Sequence, residues 1–132
     1  MAEVNIQVSQ ESPTTSYTSV RGHEVLIDRP EAKGGSDKGA MGGELLLVAL
    51  GGCFMSNLLE AVRTREAAIS NMQASITGTL DGSPARFTEV SMRVSGDYED
   101  KELFEKLVTI SERSCIVANS LKDGLKLSVI VE

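Results

Sequence analysis

Six short segments of the chain have the residue pattern of β-strands. They alternate hydrophobic and polar residues or are rich in β-prone residue types. The predicted strands are residues 4–8, 17–20, 23–28, 72–80, 87–96 and 125–131. Arg21-Gly22 follows the second segment and residues 81–84 follow the fourth, and both are turn signals that predict hairpins.

Three further segments have helical patterns. The longest covers residues 44–70, and residues 45–50 within it are apolar all round, which predicts a central helix that is buried on every side. A chain of 132 residues has difficulty surrounding such a helix alone, so we expect a homodimer that packs two of these helices together. Residues 97–114 are amphipathic, and a short third helix follows and ends before Gly124.

The predicted element order is β-β-β-α-β-β-α-α-β, an α+β fold in a single domain over residues 1–132. A glycine-rich loop, residues 29–43, joins the third strand to the first helix. Glycine allows the backbone to turn freely or to approach another group closely, although a plain connector has the same composition. The loop contains none of the glycine motifs that bind phosphate.

The net charge of -6 and the sequence pI of about 4.8 narrow the range of partners. Binding to nucleic acid without sequence preference needs clustered Lys and Arg, and an anionic membrane surface attracts the same residues, so we expect neither partner. The first ten residues do not have the pattern of a secretory signal, and the most apolar run, residues 45–50, is too short to cross a bilayer. We therefore expect a cytoplasmic protein.

The candidate chemistry rests on the two cysteines, because the chain has a single histidine, His23, and a zinc site would need carboxylate ligands. In the cytoplasm two cysteines rarely form a static disulfide, so they are either inert core thiols or reactive ones. Cys53 follows two glycines, which are unfavourable inside a helix and would allow a close neighbour there. Cys115 lies at the predicted start of the short helix, where N–H groups lower the pKa of a thiol. The pattern alone leaves both readings open for each cysteine, and His23 is more typical of an exposed strand residue than of a base for either thiol.

Two motifs, one around each cysteine, resemble the signatures of the OsmC/Ohr family, the osmotically inducible and organic hydroperoxide resistance proteins. The first motif, residues 43–53, has the sequence GELLLVALGGC, and the second, residues 115–122, has the sequence CIVANSLK. Asp28-Arg29-Pro30 and Gly34-Gly35 are similar to the loop before the first signature, and the element order also agrees over essentially the whole chain.

The resemblance implies an OsmC-like fold, an intertwined homodimer and a thiol-dependent peroxidase that uses no metal or bound cofactor. It implies that Cys53 attacks an organic hydroperoxide, that Cys115 resolves the product to a disulfide, and that an external dithiol regenerates the enzyme. By loop position the active-site arginine would be Arg29, with Arg21 as its competitor, because the Ohr branch carries its arginine earlier. The glutamate would be Glu44, which matches the OsmC-like branch, since the Ohr branch has its glutamate where this chain has Gly43.

Two alternative functions remain open at this stage. A thiol redox sensor or binding protein on the same scaffold would keep both motifs but lose turnover. A structural dimer module would keep the cysteines as inert core residues. Catalytic reduction of a hydroperoxide by a dithiol would distinguish the enzyme from the sensor. Loss of free thiols after one equivalent of peroxide would distinguish both of these from the structural module.

Overall fold

The computed structural model describes all residues, 1–132, and shows a mixed α+β chain with two small sheets and three α-helices. The elements are β1 (Ser9–Gln10), β2 (Ser16–Val20), β3 (His23–Ile27), a 3-10 turn (Glu31–Lys33), α1 (Gly42–Thr64), β4 (Ile69–Asp81), β5 (Arg86–Tyr98), α2 (Lys101–Arg113) and α3 (Ile116–Asp123). The order agrees with the predicted fold class except at the C-terminus. The chain divides into two compact units, Met1–Leu46 and Leu47–Glu132, which are described separately; the assignment of a single domain over 1–132 stays a prediction.

The first unit contains a three-stranded antiparallel sheet in the order β1-β2-β3. The hairpin between β2 and β3 turns at Arg21 and Gly22, which both have positive φ values, 52° and 85°. Positive φ at both central residues is the geometry that matches the twist of two paired strands. The predicted hairpin turn is therefore confirmed, and Gly22 occupies the position that has the more positive φ.

The second unit is built on the β4–β5 hairpin, whose strands each have 13 residues and pair antiparallel with two register shifts. Alternate residues of both strands, among them Ile76, Val90 and Met92, pack against a core formed with the helices. The amphipathic helix α2 contributes Phe104 and Leu107 to this core. Asp100 caps α2, because its carboxylate accepts a hydrogen bond from the N–H of Leu103 at 3.0 Å.

Helix α1 is buried along one stripe only. The buried residues, Leu50, Gly51, Phe54, Leu58 and Ala61, recur with the spacing of one helix face. The prediction that residues 45–50 are buried on every side is wrong for the single chain, because Leu46 is 38% exposed and Val48 is 63% exposed. The helix is also shorter than predicted, since Ile69 already belongs to β4.

Helix α1 is long and apolar enough to cross a membrane when length and composition alone are considered. The expectation that the chain has no segment able to cross a bilayer rested on residues 45–50 alone, whereas the test applies to the whole of α1. The core helix of a soluble protein passes the same test.

Both termini depart from the predicted strands. Residues 4–8 have no regular structure, and β1 comprises only Ser9–Gln10. Residues 125–131 also form no strand, although their alternation is strict, and every side chain from 125 to 131 is exposed. A strand needs a partner for its backbone hydrogen bonds, and neither segment finds one within the chain. The predicted first strand and the predicted last strand are therefore wrong for the isolated chain.

Candidate functional site

The two cysteines lie in the second unit, Cys53 inside α1 and Cys115 between α2 and α3. Helix α2 ends at Arg113, and the backbone of Cys115 is extended, with φ -76° and ψ 111°. That conformation makes Cys115 the N-cap of α3, and its Sγ accepts a hydrogen bond from the N–H of Ala118 at 3.4 Å. The predicted start of the third helix at this cysteine is confirmed.

The N–H groups of the first turn of α3 lower the pKa of Cys53. The hydrogen bond from the backbone N–H of Val117 has the largest effect, partial burial opposes it, and hydrogen bonds from the Cys115 side chain and the N–H of Ile116 lower the pKa further. N–H groups at a helix N-terminus stabilise an anion because they have no partner within the helix. Cys53 is thus the sulfur that the structure favours as a thiolate.

Cys115 has the opposite tendency, although it caps the helix. Burial raises its pKa, the N–H of Ala118 partly opposes that effect, and the neighbouring Cys53 raises the pKa further. A second negative charge next to a Cys53 thiolate is unfavourable, so the raised pKa of Cys115 favours its protonated form. Although Cys115 lies at the helix N-terminus, burial and the neighbouring Cys53 outweigh the N–H groups of Ala118 and Val117, and its pKa is raised.

The two thiols also differ in their exposure to solvent. Cys115 is fully buried, with 0% exposure, whereas Cys53 is half-buried, and neither is in a disulfide. A reagent that arrives from solvent therefore meets the Cys53 sulfur first. The pair combines an accessible thiol that favours its anion with a buried thiol in hydrogen-bond contact with it.

An apolar cavity of about 280 Å³ lies in the same unit. Its lining includes Leu50 and Phe54, which come from the turns of α1 that hold Cys53, and Ala118, whose N–H donates to Cys115. Aliphatic side chains of β5 and α2 complete the wall, and the Glu112–Lys122 ion pair lies at the polar end. The cavity is large enough for a small apolar group.

The predicted arginine and glutamate belong to the first unit. Arg29 follows β3, has an exposed side chain without a carboxylate partner, and lines a cavity of about 500 Å³ together with Lys33 and Gly43. Glu44 lies in the first turn of α1, where its carboxylate accepts a hydrogen bond from the N–H of Met41 at 2.9 Å. This contact is the glutamate half of a capping box, since Met41 has no side-chain oxygen to complete it, and no ion pair joins Glu44 to an arginine.

The two remaining candidates are exposed in the first unit. Arg21 lies at the tip of the β2–β3 hairpin, and His23 begins β3. No three His, Cys, Asp or Glu side chains are grouped closely enough to hold a metal ion.

Sequence reasoning missed two kinds of group. The N–H groups of Ile116 and Val117 act on Cys53, but a backbone group has no residue type by which a sequence could reveal it. The buried carboxylate of Asp28 was also missed, although an aspartate that ends a strand before a glycine-rich loop is a signal for a loop anchor.

Comparison with known proteins agrees with this fold and with these motifs. The family model described as OsmC-like protein matches residues 35–130. The chain is similar to solved structures of a hypothetical protein from Aquifex aeolicus (17% identity, 93% of this chain and 89% of that one, TM-score 0.78) and of an OsmC-like protein from Mycoplasma pneumoniae (15%, 92% and 88%, TM-score 0.76). It is also similar to an organic hydroperoxide resistance protein from Elizabethkingia anophelis (14% identity, 92% and 90%, TM-score 0.69).

No curated protein sequence matches the chain significantly. At these low identities the solved structures establish the fold, whereas the family model establishes membership. The expected family resemblance is confirmed, since the matched region contains Glu44 and both cysteine motifs. The chain belongs to the OsmC-like protein family.

Proposed function

We propose that this protein is a thiol-dependent peroxidase that reduces organic hydroperoxides, with Cys53 as the peroxidatic thiol and Cys115 as the resolving thiol. One observation carries the proposal: the accessible thiol Cys53 has a lowered pKa, and the fully buried Cys115 is one of the groups that lower it. The thiolate is the reactive form of cysteine toward peroxide. Family membership supports a role in peroxide stress, because structural neighbours are named organic hydroperoxide resistance proteins.

The proposed reaction has three steps. The Cys53 thiolate attacks the distal peroxide oxygen, the O–O bond breaks, and the alkoxide leaves with a proton as an alcohol, so that Cys53 becomes a sulfenic acid. The Cys115 sulfur attacks the sulfenic sulfur and displaces water, which forms the disulfide. An external dithiol then reduces the disulfide by thiol–disulfide exchange and returns both cysteines to thiols.

The proposed cation of the site is Arg29. A guanidinium carries a permanent charge and planar donors, so it can hold both a thiolate and a peroxide oxygen. Its side chain has no carboxylate partner in this structure and is free for that role. Arg21 is the competing candidate, and Glu44 is the proposed carboxylate for orienting the arginine, in addition to its contact with the N–H of Met41.

The apolar cavity supports an organic substrate. Its walls are mostly aliphatic and aromatic, and two of its lining residues adjoin the cysteines: Phe54 follows Cys53, and the N–H of Ala118 donates to Cys115. Transfer of an apolar tail from water into such a cavity lowers the free energy of the complex, whereas hydrogen peroxide has no apolar tail to transfer. We therefore expect cumene hydroperoxide to be a better substrate than hydrogen peroxide.

The proposed assembly is a cytoplasmic homodimer. Helix α1 leaves Leu46, Val48 and Leu59 exposed at 38%, 63% and 52%, and a soluble protein rarely leaves such an apolar face uncovered. A second copy of the chain offers the same face, as a two-fold interface requires. On this proposal α1 is the core helix of a soluble dimer.

The test measures consumption of cumene hydroperoxide with dithiothreitol as the reductant. We expect turnover by the wild-type protein and none by Cys53→Ser. Without dithiothreitol, Cys115→Ser should consume one equivalent and keep a sulfenic acid that dimedone traps. Ser114→Ala, at the exposed neighbour of Cys115, is the matched control and should behave as wild type. Full activity of Cys53→Ser would falsify the proposal. Oxidation of both thiols by one equivalent without turnover would instead identify a redox sensor.

A further inference from the structure

The buried carboxylate of Asp28 is the centre of the loop that carries Arg29. Asp28 directly follows β3, and only 4% of it is exposed. Its side chain accepts hydrogen bonds from the hydroxyl of Thr15 at 2.9 Å and from the N–H groups of Arg29 at 2.7 Å, Lys38 at 3.2 Å and Ser36 at 3.3 Å. The hydroxyl of Thr14 adds a longer hydrogen bond at 3.5 Å, and no cationic side chain pairs with the carboxylate, so neutral donors stabilise its charge.

The balance of these contacts keeps Asp28 ionised. Burial raises the pKa of Asp28, but hydrogen bonds from the Thr15 hydroxyl and from the N–H groups of Arg29, Lys38 and Ser36 outweigh it, so the net pKa lies below the ordinary value. Each donor is therefore held by a charge-assisted hydrogen bond, which is stronger than one between neutral groups.

The same contacts fix the main chain of Arg29 on both sides. Its N–H donates to Asp28, and its carbonyl accepts a hydrogen bond from the N–H of Asp37 at 3.0 Å. Gly35 packs directly on this carbonyl, because a Cβ placed on Gly35 would lie 2.0 Å from the Arg29 oxygen. The Arg29 side chain, by contrast, is exposed and unpaired, so a free guanidinium projects from a fixed backbone.

We propose that Asp28 is a positioning residue for the peroxidase reaction: its buried carboxylate fixes the backbone from which Arg29 presents its guanidinium to the peroxide. The inference rests on the proposed function and adds a residue to it. Asp28 does not touch the substrate. It acts through Arg29, and its contribution exists only where the arginine is present.

A double-mutant cycle tests this dependence. Displacement of a catalytic group by about 1 Å can lower a rate about 100-fold, so we expect Asp28→Asn to lower kcat/KM for cumene hydroperoxide by about 10- to 100-fold. We expect Arg29→Gln to lower it at least as much and the double variant to lose nothing further, because the two residues act as one unit. The decrease should fall on the rate of Cys53 oxidation, while alkylation of Cys53 by iodoacetamide stays within a few-fold of wild type.

The control is Thr18→Val, which removes another buried hydrogen bond of the first unit, from the Thr18 hydroxyl to the Gln7 carbonyl at 2.7 Å. It should leave kcat/KM near wild type. Thr15→Val keeps the carboxylate but removes one donor, and it should cause a smaller decrease than Asp28→Asn. If Asp28→Asn does not fold, Thr15→Val combined with Arg29→Gln provides the same cycle.

Additive losses in the cycle, or an unchanged kcat/KM in Asp28→Asn, would overturn the inference and leave the proposed function intact. An unchanged kcat/KM in Arg29→Gln would overturn it as well, in favour of Arg21. Absence of turnover by wild type would instead overturn the proposed function. In that case amide hydrogen exchange of Ser36 and Lys38 still tests whether Asp28 anchors the loop. Both amides should be protected from exchange in wild type and lose that protection in Asp28→Asn.

Discussion

At the scale of single residues, two chemically identical thiols acquire opposite properties from one turn of helix. The N–H groups of Ile116 and Val117 stabilise the anion of Cys53, while burial opposes ionisation of Cys115. Neither effect needs a charged side chain. The side chain in direct contact with Cys53 that lowers its pKa is the other thiol.

The backbone contribution can be measured at Ile116, whose side chain is 75% exposed. Proline is tolerated at the first position of a helix but has no N–H, so Ile116→Pro should raise the pH midpoint for alkylation of Cys53 by iodoacetamide. Ile116→Ala also removes most of the isoleucine side chain but keeps the N–H, so it should leave the pH midpoint unchanged. In wild type the midpoint should lie below that of a free cysteine, about 8.5. Equal midpoints in the two variants would exclude the N–H as a cause.

The N-cap role of Cys115 predicts a difference between two conservative replacements. Serine places a hydroxyl where it can accept the hydrogen bond from Ala118, whereas alanine has no acceptor. Loss of an N-cap acceptor costs about 1 kcal/mol, so Cys115→Ala should be less stable than Cys115→Ser by about that amount in urea denaturation. The capping explanation fails if Cys115→Ala is the more stable of the two.

Asp28 predicts how stability depends on pH. Because its folded-state pKa lies below the ordinary value of 3.8, the carboxylate stabilises the fold fully above pH 3.8, and this contribution is lost as the pH falls through the folded-state pKa. The loss of Tm on acidification should therefore be smaller in Asp28→Asn than in wild type. Glu89→Gln removes an exposed carboxylate and should follow the wild-type curve. Parallel curves for wild type and Asp28→Asn would contradict the assignment.

At the scale of elements, the close approach of α1 and β4 explains one of the two glycines before Cys53. A Cβ on Gly51 would lie 2.6 Å from Cδ1 of Ile76, whereas a Cβ on Gly52 would meet no atom of the chain within 4 Å. The expectation that glycine before Cys53 allows a close neighbour is thus met by Gly51, and the neighbour is a strand side chain.

This contact predicts a coupling between the two elements. Gly51→Ala gains helix propensity but overpacks against Ile76, and overpacking costs about 1–3 kcal/mol. Ile76→Val removes Cδ1, so Gly51→Ala should be better tolerated in that background, with a coupling free energy of about 1 kcal/mol from urea denaturation. Ile69→Val makes the same truncation seven residues earlier in β4, and Gly51→Ala should show no coupling in that background. A coupling near zero at Ile76 would show that the side chain simply moves aside.

Much of the element order follows from local patterns, while the departures have a physical cause. The β4–β5 hairpin and α2 bury a regular face within the chain, and their periodicity therefore predicted them correctly. Residues 4–8 and 125–131 have equally regular patterns but no strand beside them, so their alternation predicted strands that do not form in the single chain. The cysteine pair followed from the motifs, whereas the pKa difference depends on backbone N–H groups that only the fold brings to Cys53.

At the scale of the whole molecule, much apolar surface stays exposed in one chain. The exposed residues lie on α1 and in both terminal segments, where Val4, Leu127 and Val129 are each more than 80% exposed. An apolar surface of this kind marks an interaction site, which is the physical basis of the proposed homodimer. The net charge of -6 opposes nonspecific association but covers none of these residues.

The dimer can be tested with a charge on the exposed face of α1. Val48→Glu places a carboxylate where the proposed partner helix would pack, and an unpaired buried charge is strongly unfavourable, so it should shift the mass in light scattering from dimer to monomer. Lys106→Glu, on the exposed side of α2, should leave the mass unchanged. A monomeric wild-type protein would contradict the proposed assembly.

The contact between the two thiols also bears on how the protein would withstand excess oxidant. A sulfenic acid on Cys53 would form beside a sulfur that is already in hydrogen-bond contact, so resolution depends on no diffusing partner. A second peroxide molecule must arrive from solvent before that local step is complete in order to drive Cys53 to the irreversible sulfinic acid. Resistance to inactivation should therefore depend on the peroxide concentration and on the Cys115 sulfur, which no solvent oxidant reaches directly.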